Sequence, residues 1–221
     1  MRRLFLASYF AQIAKSLTDF AGDELAGKHV AFIPTASVVE KMAFYVKEDK
    51  QALEKLGLVV DELEISTATP QEIKDTIANS DICFVTGGNV FFLLQELKRT
   101  GADELLIEQI NKGKLYIGSS AGSAITCPDI EYLKYMDNPA KAPNLEGDYS
   151  AMSIVDFHVV PHATNFPFKG SARKVIDEYS GKLDLRVISN NQVITIQGDE
   201  ERTLTVEKSR RFGRKSERFG K

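Results

Sequence analysis

The chain has 221 residues, of which 43% are hydrophobic, and this size and composition suit a single domain with a sizeable core. The formal net charge of −3 gives no sign of a nucleic-acid partner, and two cysteines with three histidines are too few for a disulfide framework or a structural zinc site. No apolar stretch reaches the length of a membrane-spanning helix, so we expect a cytoplasmic protein with no membrane partner.

Short apolar runs alternate with amphipathic segments along the chain. The apolar runs predict strands at residues 3–7, 30–34, 59–64, 82–86, 115–118, 157–160 and 185–189. The amphipathic segments predict helices at residues 10–21, 39–56, 70–78, 90–100, 102–112 and 171–179. Such alternation is typical of an α/β fold, here a mostly parallel, doubly wound sheet with helices on both faces.

The end of the chain follows a different pattern. Two further strands, at residues 193–197 and 203–206, are joined by Gly198-Asp199-Glu200-Glu201 and predict an antiparallel C-terminal β-hairpin. The tail at 208–221 carries seven basic residues and one acidic residue, and we interpret it as a frayed or edge-strand terminus, with a partner-binding or nucleic-acid-binding arm as the alternative. No internal repeat or linker divides the chain, so we predict one domain over residues 1–221.

The strongest chemical signal is the segment Gly118-Ser119-Ser120-Ala121-Gly122-Ser123, which directly follows a predicted strand. A strand that runs into G-x-S-x-G and then into a helix is the pattern of a nucleophile elbow, where small residues allow a sharp turn that exposes the serine hydroxyl. The N–H of Ala121 then points to where an oxyanion would form. We therefore predict Ser120 as a nucleophile, and the alternative is a Gly/Ser-rich turn without chemistry.

Two other strand ends carry unusual residues. In open α/β sheets, sites form beyond the carboxyl ends of the strands. Gly87-Gly88-Asn89 follows one predicted strand, and its amides would supply a second oxyanion donor at Gly88; Asn89 is either a substrate contact or the N-cap of the next helix. Pro161-His162 follows another strand. This convergence is the main reason for predicting an enzyme.

A serine nucleophile needs a base, and the base needs a partner that fixes its tautomer. His162 lies at a strand's carboxyl end, whereas His158 lies within the strand, so we predict His162 as the base. Spacing alone does not choose the carboxylate among the acidic residues between the elbow and His162, which are Asp129, Glu131, Asp137, Glu146, Asp148 and Asp156. Asp137 lies in a loop with enough reach, although its local sequence also suits an Asx turn.

Four motifs in order resemble one known family from the first strand to about residue 173. They are Thr86-Gly87-Gly88-Asn89, Tyr116-Ile117-Gly118-Ser119-Ser120-Ala121-Gly122-Ser123, Cys127-Pro128 and Pro161-His162-x-Thr164-Asn165. Together they resemble serine peptidase family S51, which contains dipeptidase E (α-aspartyl dipeptidase) and cyanophycinase. The resemblance implies a fold like that of class I glutamine amidotransferases, which is flavodoxin-like.

The resemblance also implies an activity and roles for residues. It implies cytoplasmic hydrolysis of small peptides without a metal or other cofactor, with Ser120 as nucleophile, His162 as base and Asp137 as the nearest match to the family's Asp. It implies an oxyanion hole at Gly88 and Ala121, and a preference for N-terminal aspartate read by Arg173, since a guanidinium binds a carboxylate in bidentate fashion. The segment Ser189-Asn190-Asn191-Gln192-Val193 departs from the family's Gly-rich pattern, which affects substrate preference.

Two other functions remain as alternatives. An esterase of the α/β-hydrolase type would have the same elbow, but that fold places its histidine after the last strand and carries an HGGG-type motif that is missing here. A non-catalytic binding protein on the same fold is the second alternative. We expect a monomer or a homodimer.

Overall fold

The computed structural model describes residues 1–22 and 25–207, so the basic tail at 208–221 lies outside the described residues. The described chain forms nine strands: β1 (Arg3–Ala7), β2 (His29–Ile33), β3 (Val59–Glu62), β4 (Ile82–Val85), β5 (Leu115–Ser119), β6 (His158–Val160), β7 (Leu185–Val187), β8 (Gln192–Gln197) and β9 (Glu200–Thr205). Its α-helices are α1 (Phe10–Ile13), α2 (Ser16–Ala21), α3 (Phe44–Lys55), α4 (Pro70–Asn79), α5 (Val90–Thr100), α6 (Ala102–Asn111), α7 (Ala121–Ala124) and α8 (Lys169–Tyr179).

Seven strands form the central sheet, in the order β3-β2-β4-β5-β1-β8-β9. The pairs β2–β3, β2–β4, β4–β5 and β1–β5 are parallel, whereas β1–β8 and the hairpin β8–β9 are antiparallel. This confirms the predicted mostly parallel sheet with a C-terminal hairpin. Because β1 and β5 are adjacent and parallel, the loops that follow these two strands lie side by side.

Two hydrophobic clusters cover the two faces of the sheet. Successive side chains of a strand point to opposite faces, and in β1 Leu4 and Leu6 pack into one cluster while Phe5 and Ala7 pack into the other. Both clusters consist of buried apolar side chains from strands, helices and the segments between them. The doubly wound arrangement of helices on both faces is therefore confirmed.

Several predicted elements differ from the structure. The helix predicted at 39–56 begins only at Phe44, and the hairpin strand predicted at 203–206 begins already at Glu200. The predicted helix at 10–21 is divided into α1 and α2, and at the break the Ser16 hydroxyl donates to the Ile13 carbonyl at 2.7 Å, which competes with the helical pattern. Strands β6 and β7 form a separate two-stranded parallel sheet, because β8 takes the edge of β1. Among the described residues, no helix is long and apolar enough to span a bilayer.

Candidate active site

Ser120 occupies a strained turn between β5 and the single-turn helix α7. Its backbone angles are φ 52° and ψ −106°, which an L-residue rarely adopts and which cost on the order of 1–3 kcal/mol. The strain is held from both sides, since the Ser120 N–H donates to the Ala7 carbonyl at 2.9 Å and the Ser120 carbonyl accepts from Ala124 N–H at 3.0 Å. This geometry presents the hydroxyl at the carboxyl end of the central sheet.

The glycines around Ser120 are required by close packing. A Cβ on Gly118 would lie 2.5 Å from the Gly122 carbonyl oxygen, and a Cβ on Gly122 would lie 2.0 Å from the Val85 carbonyl oxygen. Both distances are far below van der Waals contact, so the elbow packs directly against β4. The G-x-S-x-G pattern is therefore explained by the backbone geometry of this turn.

His162 lies within hydrogen-bond distance of the Ser120 hydroxyl. The Oγ of Ser120 and the Nε2 of His162 are 2.8 Å apart. The imidazole stacks on the Phe168 ring with centroids 4.8 Å apart, and burial lowers the pKa of His162, while its hydrogen bond with Asn190 acts in the opposite direction. The ring is thus favoured in its neutral form, which is the form that can accept the serine proton.

An amide, not a carboxylate, faces the other nitrogen of His162. The Nδ1 of His162 lies 2.6 Å from Asn190 Oδ1, and Ser8 Oγ lies 3.2 Å from both atoms. With Oδ1 as acceptor, Nδ1 carries the proton and the Nε2 lone pair is left for Ser120. Asn190 therefore fixes the tautomer that a triad needs, but it brings no negative charge.

The structure does not bring Asp137 to His162, and our prediction that Asp137 orients the base is corrected here. The Asp137 Oδ2 accepts instead from Val90 N–H at 2.9 Å, at the start of α5. Burial raises the pKa of Asp137 to about 7, the Val90 hydrogen bond opposes this, and the charge of Glu40 raises the pKa further. The Asp137 carboxylate therefore binds the N-terminal end of α5, where backbone N–H groups have no partner within the helix.

His158, the alternative base, is engaged elsewhere. Its Nε2 lies 3.0 Å from Asp129 Oδ2, and its ring meets that of Tyr132 edge-on. It is buried within β6, as expected for a packed histidine. Of the two neighbouring histidines, His162 is the one that the structure brings to Ser120.

The predicted oxyanion donors lie on the two loops that meet at Ser120. A Cβ on Gly87 would lie 3.2 Å from the Ser120 Cβ, so the loop after β4 touches the elbow. Gly88 has φ +136° and packs so tightly on Ala36 that a Cβ would lie 2.2 Å from the Ala36 carbonyl oxygen. In the described part of the chain, neither Gly88 nor Ala121 donates its N–H to another backbone group, so both remain candidates for the oxyanion hole.

The two predicted substrate-binding residues have other partners. The Asn89 side chain caps α5 by accepting from Phe92 N–H at 3.0 Å, and it donates to the Asn138 carbonyl at 3.3 Å. The Arg173 side chain is 73% exposed, and its Nε lies 2.8 Å from Asp177 Oδ1, one turn along α8. Their roles in substrate binding stay predictions, and for Asn89 the capping role is the one that the structure displays.

Negative groups surround the elbow on the side of α3. Burial, followed by the charges of Glu40, Asp137 and Asp49, raises the pKa of the Tyr45 hydroxyl. The Tyr45 ring lies 3.8 Å from where a Cβ of Gly87 would be, beside Ser120. Acidic side chains therefore lie within electrostatic range of this side of the site.

Sequence reasoning missed Asn190 and Ser8, the two residues that contact His162 Nδ1. Each follows the carboxyl end of a strand, Ser8 after β1 and Asn190 after β7, so the same rule that selected Ser120 and His162 could have found them. The motif residue Asn165 accepts from Asn190 N–H at 2.9 Å, and the Thr164 hydroxyl donates to Ser189 at 2.8 Å. These two contacts explain why a Thr-Asn pair follows His162.

No cluster of three or more His, Cys, Asp or Glu side chains within residues 1–22 and 25–207 has the geometry of a metal site. The chemistry available at the elbow is that of a hydroxyl, an imidazole, an amide and free backbone N–H groups. Such a set is suited to acyl transfer.

Comparison with known proteins gives a consistent assignment. The sequence model of peptidase family S51 matches residues 4–204. The chain is 51% identical over 200 residues to a protein of Listeria monocytogenes serovar 1/2a named as an uncharacterized peptidase, covering 90% of this chain and 97% of that one. It is 33% identical over 144 residues to peptidase E of Salmonella arizonae, covering 65% of this chain and 59% of that one.

Solved structures extend the comparison to the fold. A crystal structure of a candidate peptidase E protein from Listeria monocytogenes EGD-e has a TM-score of 0.89 at 49% identity, covering 94% of this chain and all of that chain. A peptidase from an acI-B1 actinobacterium shares the fold, with a TM-score of 0.66 at 20% identity. The matched residues span the sheet, the elbow and the loops that carry His162 and Asn190, and the chain is therefore a peptidase that belongs to peptidase family S51.

Proposed function

We propose that this peptidase cleaves short peptides after their first residue, through an acyl-enzyme formed on Ser120 and with His162 and Asn190 as the supporting pair. The observation that carries the proposal is the 2.8 Å contact between the Ser120 hydroxyl and His162 Nε2 at a strained turn. The 2.6 Å contact of Nδ1 with Asn190 supports the tautomer that this contact requires.

The reaction follows from the atoms around Ser120. The Ser120 hydroxyl attacks the scissile carbonyl while Nε2 of His162 takes its proton, and the N–H groups of Gly88 and Ala121 stabilise the oxyanion. His162 then protonates the leaving amine, and water, activated by the same nitrogen, hydrolyses the ester. Asn190 is neutral, so it stabilises the imidazolium form of His162 through a dipole, whereas the carboxylate of a triad would do so with a full negative charge. The pKa of His162 during the reaction is therefore lower than in such a triad.

The free amino group of the substrate is proposed to lie beside Asp137. The Asp137 carboxylate is half-buried at the start of α5, on the loop next to Gly88-Asn89, and Glu40 adds a second negative charge. An α-ammonium group is the cation that every unblocked peptide carries. Pairing it with Asp137 would place the first peptide bond near Ser120 and limit the enzyme to free N-termini.

A preference for N-terminal aspartate is a separate prediction that rests on Arg173. The guanidinium would have to exchange Asp177 for the substrate carboxylate. Such a preference would appear as a KM that rises about tenfold in Arg173→Ala for Asp-first peptides only, since one lost ion pair at a binding site is worth about 1.4 kcal/mol or more. The exposed neighbour Lys174→Ala is the control, and an unchanged KM would remove Arg173 from the site.

The test is a set of dipeptides that begin with Asp, Ala, Leu or Lys, each offered free and N-acetylated, with products separated by liquid chromatography. The proposal predicts release of the first residue from free dipeptides by wild type and loss of several orders of magnitude in Ser120→Ala. p-Nitrophenyl acetate is measured beside them. Turnover of the ester without any dipeptide, or dipeptide turnover that survives in Ser120→Ala, would contradict the proposal.

A further inference from the structure

Ser8 lies between the part of the candidate active site that carries Ser120 and the part that carries Asn190. It is the first residue after β1, and its side chain is completely buried. On one side β1 pairs with β5, which ends at the nucleophile elbow, with Ala7 opposite Ser119. On the other side β1 pairs with β8, with Ala7 opposite Val193, three residues after Asn190. Ser8 thus follows the strand that separates the nucleophile from the partner of the base.

The Ser8 hydroxyl contacts both members of the supporting pair. Its Oγ accepts from His162 N–H at 2.8 Å and donates to Asn190 Oδ1 at 3.2 Å, while it also lies 3.2 Å from His162 Nδ1. A serine hydroxyl has one proton and two acceptor positions, so it can accept and donate at the same time. One buried hydroxyl therefore holds both the backbone of the base and the oxygen that fixes its tautomer.

The backbone of His162 needs such a contact. Its φ is +58°, in the left-handed region that non-glycine residues rarely adopt. The N–H of His162 is held by Ser8, and its carbonyl accepts from Asn165 N–H at 3.0 Å. Without the Ser8 hydroxyl, the N–H would lose its partner and the backbone could relax toward ordinary angles, which would move the imidazole away from Ser120.

The segment that carries Ser8 is itself fixed to the nucleophile strand. Two N–H groups shortly after Ser8 are held by side chains, since Phe10 N–H donates to Ser119 Oγ at 3.2 Å and Ala11 N–H donates to the buried Asp49 carboxylate at 3.0 Å. The Ala7 carbonyl accepts from Ser120 N–H. Hydrogen bonds therefore connect the segment of Ser8 to Ser120, and through Ser8 they connect His162 to Ser120 as well.

We propose that Ser8 is a positioning residue of the reaction proposed above: its hydroxyl holds His162 in its left-handed conformation and Asn190 Oδ1 on Nδ1, and so sets the distance between the base and Ser120. The proposal rests on the proposed serine-peptidase function. Ser8 does not touch the substrate, so removing its hydroxyl affects the chemical step and leaves substrate binding intact.

The first test compares Ser8→Ala with Ser80→Ala. Ser80 is also buried, but its hydroxyl donates to the Thr76 carbonyl at the end of α4. We expect Ser8→Ala to lower kcat about 10- to 100-fold, because small displacements of a catalytic group have effects of this size, with KM unchanged. Ser80→Ala keeps the wild-type kcat. Equal kcat values in Ser8→Ala and wild type would overturn the proposal.

A second measurement observes His162 without turnover. In protein labelled with ¹⁵N-histidine, the Nδ1–H proton held by Asn190 gives a protected signal at low field; it should shift or exchange faster in Ser8→Ala and stay in place in Ser80→Ala. An unchanged signal in Ser8→Ala would overturn the proposal even if the dipeptides prove to be the wrong substrates. Failure of the proposed function is recognised separately, as turnover that does not depend on Ser120.

Two further variants guard against a simple folding defect. Ser8→Cys keeps a weak hydrogen-bonding group on a slightly larger side chain, and we expect its kcat to lie between those of wild type and Ser8→Ala. In the cycle formed with Asn190→Ala, the double variant should lose less than the product of the two single losses, because both residues act on the same imidazole. Independent losses that simply multiply would contradict a shared role.

Discussion

At the scale of single residues, the site is defined by what faces His162 Nδ1. The amide of Asn190 supplies the acceptor at 2.6 Å, and burial lowers the pKa of the imidazole. A neutral orienting residue keeps the tautomer but gives the imidazolium no counter-charge. The base is therefore weak, and it remains unprotonated at pH values where a histidine beside a carboxylate would already be charged.

Replacing the amide by a carboxylate tests this point. The base works only when neutral, so kcat, which is independent of substrate binding, falls as the pH drops through the pKa of His162, and in wild type this fall should lie below the usual pKa of 6.5. Asn190→Asp raises the pKa of His162, so the fall should move up by about one pH unit or more. The control is Asn191→Asp, the same change one residue away; equal profiles in both variants would contradict the role of Asn190.

Asp137 gives a separate pH dependence that belongs to binding. Its pKa is raised to about 7, so it is charged above that pH and increasingly neutral below it. If it binds the substrate ammonium, KM should rise as the pH falls below about 7, and Asp137→Asn should show a high KM at every pH with kcat little changed. Steady-state kinetics between pH 5 and pH 9 measures this, and a KM for wild type that does not vary with pH would exclude Asp137 from amine binding.

At the scale of elements, the elbow depends on the contact between α7 and β4. In Gly122→Ala the new Cβ would lie 2.0 Å from the Val85 carbonyl oxygen, whereas in Gly101→Ala it would meet open space at a φ of +71°. We expect Gly122→Ala to cost about 3 kcal/mol or more and to remove activity, since backbone atoms have to move. Gly101→Ala should cost about 1 kcal/mol and leave activity unchanged.

The comparison is measured by urea unfolding together with dipeptide turnover. If Gly122→Ala were as stable and as active as wild type, the elbow would not be packed as described. Comparable losses of activity in both glycine variants would show that stability alone accounts for the effect.

At the scale of the whole molecule, one buried carboxylate links stability to pH. Asp49 on α3 is fully buried, and its Oδ1 accepts from Ala11 N–H at 3.0 Å. Burial raises its pKa to about 7 from an ordinary value of 3.8. The folded state thus holds a proton that the unfolded chain releases, so this contribution to stability is complete below about pH 4 and is lost as the pH rises through about 7.

Asp49→Asn should therefore stabilise the protein at alkaline pH. The amide can still accept from Ala11 N–H, and the cost of the buried charge disappears, which is worth up to about 4 kcal/mol above pH 8 and close to nothing at pH 4. Urea unfolding at the two pH values measures the difference, with the surface change Asp75→Asn as control. A gain that is the same at both pH values would contradict the assignment.

The sequence predicts most features that depend on neighbouring residues, and few of those that depend on contacts between residues far apart in the chain. The elbow, Gly88 and His162 all follow predicted strand ends in recognisable patterns. The prediction considered only acidic residues between the elbow and His162, and Asp137 was chosen among them. The residue that contacts Nδ1 is an amide, Asn190, and it comes 28 residues after His162. Likewise, β6 and β7 pair only with each other because β8 pairs with the edge of β1. The sequences of β6 and β7 do not reveal this pairing.

The central claim is that Ser120 is a nucleophile activated by His162, and covalent labelling tests it most directly. Wild type, Ser120→Ala and His162→Ala are treated with a fluorophosphonate, and the rate and position of the adduct are read by mass spectrometry. We predict one adduct on Ser120 in wild type, none in Ser120→Ala, and labelling at least about 100-fold slower in His162→Ala. Labelling of Ser120→Ala at the wild-type rate, or a wild-type rate in His162→Ala, would contradict the account.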